Sequence, residues 1–165
     1  MVSEQICEDI CCVESPWLGE ITWETGCELL FPCGLPGFEQ LRRMVPVEIP
    51  SQRPLIYLQS ALDPGICFLT LPVLTVYPAF MLQLSEDDFG LLGFDQISLA
   101  AESPALGTDV LCLALLVPLG PTVQTNLDAP IVINLHNGRG VQAVSPHGSS
   151  GSYRLSREGE WVPVC

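Results

Sequence analysis

The sequence contains no lysine, and six arginines are its only basic residues apart from two histidines, against nineteen aspartates and glutamates. The formal net charge of the 165-residue chain is therefore −13. No arginine occurs before Arg42 or between Pro54 and Gly138. Such a surface repels phosphate, which argues against direct binding of nucleic acid or of an anionic membrane. A basic protein partner is electrostatically permitted, although the carboxylates could also serve solubility alone.

An uninterrupted apolar run of membrane-spanning length is also missing. Three prolines interrupt the uncharged residues 64–85, and Pro118, Gly120 and Pro121 interrupt residues 110–127. A spanning helix needs about 20 mostly apolar residues, so no membrane segment is predicted. The N-terminal residues lack the basic start and apolar stretch of a signal peptide, which predicts a cytoplasmic, reducing location.

Catalytic and metal-binding motifs are absent as well. The spacing Cys7-x3-Cys11-Cys12 differs from common zinc motifs, so no metal or cofactor is expected and the eight cysteines are expected to be free thiols. No nucleophile elbow, phosphate-cradling loop or dinucleotide fingerprint occurs. The carboxylates of residues 86–88 could support an acid-dependent hydrolase, but a charged helix start explains them more simply. The chain is therefore predicted not to be an enzyme.

Short apolar segments separated by 14 glycines and 15 prolines predict a single all-β domain. Residues 17–24 alternate, with Ile21 and Trp23 on one side, as a half-buried antiparallel strand does. Residues 55–60 and 66–71 are predicted to pair as a hairpin around the turn at residues 63–65. A second hairpin is predicted for residues 131–135 and 141–144, with Asn137-Gly138 as its turn.

The remaining elements are shorter. Strands are predicted at residues 28–31, 41–47 and 109–118, the second of them at a sheet edge because of its prolines. Ser85 followed by three acids predicts an N-cap and one short helix over residues 86–92. Residues 1–14 are acidic and without sustained periodicity, so we expect a mobile tail there. The folded domain is expected to span residues 15–160.

Four segments, taken in order, carry a resemblance to a known family. They are Trp17-Leu18-Gly19-Glu20-Ile21; Gly34-Leu35-Pro36-Gly37-Phe38-Glu39; Tyr57-Leu58-Gln59-Ser60 with Asp63 and the following Phe68-Leu69-Thr70-Leu71-Pro72; and residues 125–134 with the following Gly140-Val141-Gln142-Ala143-Val144. From about residue 15 to 155 the chain resembles the flagellar assembly factor FliW family.

This resemblance implies an antiparallel β pseudo-barrel without enzymatic activity or cofactor. It implies two partners: flagellin, and CsrA, a small basic dimeric repressor of translation. Members of the family sequester CsrA and thereby relieve its block on flagellin translation, while flagellin competes for the same protein. The alternative is a dedicated flagellin chaperone with no role in translation control.

Candidate residues follow from the same resemblance. The predicted partner-binding residues are Tyr77 and the acidic residues Glu86, Asp87 and Asp88, which would meet arginine or lysine of CsrA. The family motifs are interpreted as structural. Their residues are Gly34, Pro36, Gly37, Phe38, Gln59, Asn126, Pro130 and Asn134. Residues 34–39 are expected to form a turn that determines local shape, and residues 126–134 a core strand whose asparagines bond the backbone.

Overall fold

The computed structural model describes residues 10–94, 104–144 and 151–164, and it consists of antiparallel sheets with two short helices. The central sheet has seven strands. In spatial order they are β11 (Gly140–Gln142), β10 (Ile131–Asn134), β7 (Val110–Leu115), β6 (Cys67–Pro72), β5 (Ile56–Ser60), β4 (Arg43–Val47) and β3 (Leu29–Leu30).

Two smaller sheets complete the architecture. One is the hairpin of β1 (Ile10–Ser15) and β2 (Gly19–Glu24). The other contains, in spatial order, β13 (Trp161–Pro163), β12 (Ser152–Leu155), β9 (Thr122–Asn126) and β8 (Val117–Leu119). The helices are α1 (Val73–Val76) and α2 (Glu86–Leu91), and a 3₁₀ turn covers Pro50–Gln52.

The two ends of the central sheet come together, so that the sheet forms a nearly closed barrel. The Leu30 amide donates to the Gly138 carbonyl at 2.9 Å, and Leu30 forms a bridge with Arg139. Close packing makes this contact possible, because the buried Phe31 ring lies directly under Gly140. The predicted antiparallel β pseudo-barrel is confirmed.

Both faces of the central sheet are buried. Leu113, Ile131 and Ile133 pack inside with Phe31 and Met44. The alternate residues of the same strands pack on the opposite face, under the two helices and the four-stranded sheet; they include Cys112, Ala114 and Val132. Successive side chains of a strand point to opposite faces, which explains why β10 is buried along its whole length.

Several sequence predictions are confirmed. Strands β5 and β6 pair antiparallel, with Tyr57 opposite Leu69, and β10 pairs with β11. Strand β2 and helix α2 form where they were expected. The Ser- and Gly-rich composition of residues 147–152 predicts a flexible loop. Residues 147–150 lie outside the described residues, and Ser152 already belongs to β12.

The predicted tail at residues 1–14 is wrong over residues 10–14. These residues form β1, and every residue of β1 pairs with one of β2. Strand β1 is held there because Val13 packs with Ile21 and Val45 in a small apolar cluster. Residues 1–9 lie outside the described residues. At the other end, β13 carries the described sheet structure to Pro163, beyond the expected boundary at residue 160.

Three other predictions need correction. Strand β4 is not an edge strand, because β3 pairs with its first two residues, Arg43 and Met44. Pro46 lies further along, where β4 pairs with β5 on one side and β3 no longer reaches it. The strand predicted at residues 109–118 divides at Leu116 into β7 and β8, which belong to different sheets. The fold also contains a second helix, α1, beyond the one predicted, starting directly after Pro72.

Candidate functional site

Helix α2 presents the predicted acidic residues in its first turn. The Asp88 amide donates to the Ser85 hydroxyl at 3.1 Å, so Ser85 is the N-cap. Glu86 and Asp87 are exposed, and Asp88 is half-buried. Carboxylates are stabilised at a helix N-terminus by the partial positive charge of the free amides. The acidic turn is therefore formed by neighbouring residues of the sequence, and its side chains are accessible to a partner.

The C-terminal end of α2 is held by the β10–β11 hairpin. The side-chain amides of Asn134 and Asn137 donate to the Leu92 carbonyl at 2.9 and 3.0 Å. Phe89 is buried and packs against Phe94, with ring centroids 5.1 Å apart. These contacts join the short helix to the barrel, so the acidic turn has a defined orientation.

Tyr77 lies at the end of α1, where its amide donates to the Val73 carbonyl at 2.9 Å. Its ring stacks on Tyr153 of β12, with centroids 6.0 Å apart and planes at 25°. Tyr77 remains 38% exposed, and two residues near it in sequence, Leu74 and Met81, are 41% and 82% exposed. We call these three residues the apolar patch.

The apolar patch and the acidic turn lie above the same core. Val73, Val76, Phe80 and Leu92, which flank the two features in sequence, all belong to one buried cluster. No hydrogen bond between Tyr77 and Glu86, Asp87 or Asp88 occurs within the described residues. The segments that carry Tyr77 and the acidic turn are thus attached to the same buried cluster, and the described contacts do not join them in a single bonded site.

The motif at residues 34–39 is a tight turn. The Phe38 amide donates to the Leu35 carbonyl at 2.7 Å, and the Gly37 amide to Glu39 Oε1 at 2.9 Å, which lowers the Glu39 pKa. Gly34 has φ of +65°, and a Cβ there would lie 2.6 Å from the Glu39 Cα. Pro36 is exposed at the tip of the turn, while Phe38 packs edge-on against Phe68.

Gln59 is a fully buried amide that organises the β5–β6 turn. Its Nε2 lies 3.1 to 3.2 Å from the carbonyls of Ser60, Pro64 and Ile66. Its Oε1 has no hydrogen-bond partner among the described residues. Because the Gln59 side-chain NH₂ group donates to backbone carbonyls of the turn, we interpret Gln59 as a residue that shapes this turn.

Residues 126–134 are not the single core strand that was predicted. Strand β9 ends at Asn126, whose exposed Oδ1 accepts from the Asp128 amide at 2.9 Å. A turn follows, and the carbonyl of the buried Pro130 accepts from the Ala143 amide. Strand β10 then leads to the buried Asn134. Both asparagine side chains nevertheless bond backbone groups, as expected.

Sequence reasoning missed a second acidic surface, on the outer face of the β1–β2 hairpin. Glu14 lies opposite Glu20 in the hairpin register, and Glu24 lies opposite Ile10. All three glutamates are exposed. Like charges directly opposite each other are destabilising. The alternation of residues 20–24 could have indicated half of this surface, but the pairing with Glu14 was hidden by the assumed tail.

Comparison with known proteins identifies the family. The FliW protein family model matches residues 12–155. The chain belongs to the FliW family. Two relatives are a flagellar assembly factor FliW of Syntrophomonas wolfei, 28% identical over 134 residues covering 81% of this chain and 80% of the relative, and one of Oceanobacillus iheyensis, 30% identical over 125 residues covering 74% and 78%.

The fold agrees with this membership. A crystal structure of the flagellar assembly factor FliW superposes with a TM-score of 0.67, covering 81% of this chain and 87% of that one. The two sequences are 24% identical, so this likeness concerns the fold alone. The FliW match begins inside β1 and ends with β12, so it includes every candidate residue, while β13 lies beyond it.

The described part of this FliW-family chain offers no evident metal site or membrane span. Among residues 10–94, 104–144 and 151–164, no three cysteine, histidine, aspartate or glutamate side chains are grouped as metal ligands. None of the described helices has the length and apolar character required to cross a bilayer. The six described cysteines are free thiols; they are Cys11, Cys12, Cys27, Cys33, Cys67 and Cys112.

Proposed function

We propose that this chain is a non-enzymatic cytoplasmic flagellar assembly factor that binds a CsrA-type translational repressor and flagellin in exchange for one another. The observation that carries the proposal is the exposed acidic turn of Glu86, Asp87 and Asp88, fixed to the barrel through Leu92. The names of the relatives support the flagellar role. The acidic turn supplies the charge that a basic repressor would recognise.

Electrostatic range limits where such a contact can form. At physiological ionic strength the screening length is about 8 Å, so a surface carboxylate acts mainly on groups that it nearly touches. Arginine binds carboxylates through parallel hydrogen bonds that fix geometry as well as charge. Three carboxylates in one helical turn therefore suit a small cluster of basic side chains on the partner.

Flagellin is proposed to bind through the apolar patch of Leu74, Tyr77 and Met81. Large exposed apolar side chains are a feature of protein interaction surfaces, and these three fall within one short stretch of the sequence. The patch and the acidic turn are close in sequence and share one underlying core, so a large partner on one would obstruct the other. Flagellin would then displace CsrA by mass action, and secretion of flagellin would reverse the exchange.

The apolar patch also supports a second candidate function. A dedicated flagellin chaperone would need an apolar surface to shield its client, and it would need no acidic turn. Met81, at 82% exposure, is the residue that favours this alternative most directly. The two functions differ in whether CsrA binds at all.

Co-purification with each partner at two salt concentrations separates the candidates. Capture of CsrA through carboxylates should be strong at about 50 mM salt and largely lost at about 500 mM, whereas apolar capture of flagellin should persist. Retention of flagellin without CsrA at low salt would support the chaperone. Retention of neither partner would contradict both functions.

A further inference from the structure

A groove separates the β1–β2 hairpin from the start of β4. Its volume is about 580 Å³, within the range of ligand-binding clefts. We call it the arginine groove. Its main lining residues are Cys11, Cys12, Trp23, Arg42, Arg43 and Leu62.

The walls of the arginine groove are fixed by apolar packing and by a backbone hydrogen bond. Val13 and Ile21 hold the hairpin against Val45 of β4. On the opposite side, the Ala61 amide donates to the Arg43 carbonyl at 3.1 Å, which ties the Leu62 turn to the same strand. The groove is therefore a preformed feature of the packing between the hairpin and the central sheet.

The charge of the arginine groove is opposite to that of the chain as a whole. Arg42 and Arg43, two of only six arginines, line it beside a single carboxylate, Glu28. Both are exposed, and within the described residues neither is among the ion pairs, which are Arg53–Glu48 and His136–Asp109.

Glu28 does not neutralise both guanidinium groups. Its Oε1 accepts from the Trp23 indole and its Oε2 from the Gly26 amide, each at 2.9 Å. The Trp23 bond, supported by backbone bonds and the nearby Arg43 charge, lowers the Glu28 pKa. With both oxygens engaged by neutral donors, this carboxylate leaves the donors of Arg42 and Arg43 available for an incoming anion.

We propose that the arginine groove binds an acidic peptide segment of a partner protein, in which a carboxylate side chain lies beside an apolar one. A guanidinium group matches carboxylate oxygens in geometry and charge, and both arginines line the groove. Ala61 and Leu62, which is 72% exposed, supply the apolar wall that a free carboxylate ion would not use. The proposal is independent of CsrA and flagellin binding, because it uses neither α2 nor the apolar patch.

Fluorescence anisotropy with the full-length chain tests this proposal. The probe is a short labelled peptide in which Glu and Leu alternate, and the comparison peptide has Gln in place of Glu. Loss of a charge-assisted hydrogen bond should weaken binding by about tenfold or more in Arg42→Gln and in Arg43→Gln. Arg53→Gln makes the same change of charge outside the groove, and it should leave the affinity unchanged.

Thiol alkylation provides a second measurement that does not depend on a variant. Bound Glu-Leu peptide should slow the reaction of Cys11, which lies opposite Trp23 in the hairpin and lines the groove. The exposed Cys33, which does not line the groove, should react at an unchanged rate. Binding of both peptides with equal affinity would overturn the proposal. So would equal affinity of the wild type and Arg42→Gln, or no measurable binding of the Glu-Leu peptide. Unaltered Cys11 alkylation at saturating peptide would overturn it as well.

Discussion

The side-chain amide of Asn134 donates a hydrogen bond of 2.9 Å to the main-chain carbonyl of Leu92, 42 residues earlier in the chain. This bond joins the central sheet to the end of α2, whose first turn carries the proposed CsrA contacts. Asn137 adds a second amide to the same carbonyl. The orientation of the acidic turn thus depends on the β10–β11 hairpin, which lies elsewhere in the sequence.

Replacing Asn134 by alanine should therefore both destabilise the fold and weaken CsrA binding. The loss of this hydrogen bond should cost about 0.5–1.5 kcal/mol, because Asn137 still donates to the Leu92 carbonyl in the variant. Urea unfolding measures the stability, and titration with CsrA measures the affinity. Asn126→Ala is the matched control, because the exposed Asn126 bonds only the nearby Asp128 amide. An equal effect of the two variants would contradict the anchoring role.

Gly140 should not tolerate a side chain. An alanine Cβ would lie 2.5 Å from the Phe31 ring, inside the contact that closes the barrel. Overpacking of this kind destabilises by about 1–3 kcal/mol. By contrast, Gly90→Ala in α2 meets open space, and should stabilise by about 0.5–1 kcal/mol. Thermal unfolding of both variants should show shifts of opposite sign; shifts of the same sign would refute the packing account.

Acidification should weaken the fold partly through Asp109. The hydrogen bond from His136 Nε2 at 2.9 Å, supported by the Ala105 amide, lowers the Asp109 pKa from its usual 3.8. Because the folded value is the lower one, this contribution is present above the unfolded pKa. It is lost as the pH falls through the folded value.

Asp109→Asn isolates that contribution, since Glu28 and Glu39, whose pKa values are also lowered, remain in both proteins. Urea unfolding between about pH 5 and about pH 3 should show a smaller loss of stability for the variant than for the wild type. Identical slopes for the two proteins would show that the His136 contact does not contribute.

The cysteines should differ widely in reactivity. Cys112 is buried in the core, and desolvation raises its pKa to about 12, so almost no thiolate forms at neutral pH. Cys12, Cys27 and Cys33 are exposed. Alkylation followed by mass spectrometry should modify these three in the native protein and Cys112 only after denaturation. Rapid modification of Cys112 without denaturant would contradict its placement.

Local patterns predicted those parts of the fold that depend on neighbouring residues. The β5–β6 hairpin and the Ser85 cap are set by turn chemistry and capping within a few positions, and both were foreseen. Helix α1 was not, because Val73 and Val76 disfavour helix locally and are held there by the core. Strand β1 was not predicted, because the acidic residues around it resemble a tail and its pairing with β2 is visible only in the structure.

In the candidate site, too, the parts formed by neighbouring residues were predicted and the parts formed by distant segments were not. The acidic turn was visible in the sequence, but its anchor at Asn134 depends on a contact between distant segments. The arginine groove likewise assembles residues from four separate segments, between Cys11 and Leu62. No spacing rule connects them, because the pairing of β1 with β2 and its packing on β4 create the cleft.

The central claim is that the first turn of α2 binds CsrA, and charge reversal tests it most directly. Two triple variants change the net charge equally: one places lysine at Glu86, Asp87 and Asp88, and the other at Glu14, Glu20 and Glu24 of the hairpin. Titration calorimetry with CsrA at about 150 mM salt should show binding lost in the first and nearly preserved in the second. Equal weakening of both, or wild-type affinity in the α2 variant, would contradict the assignment.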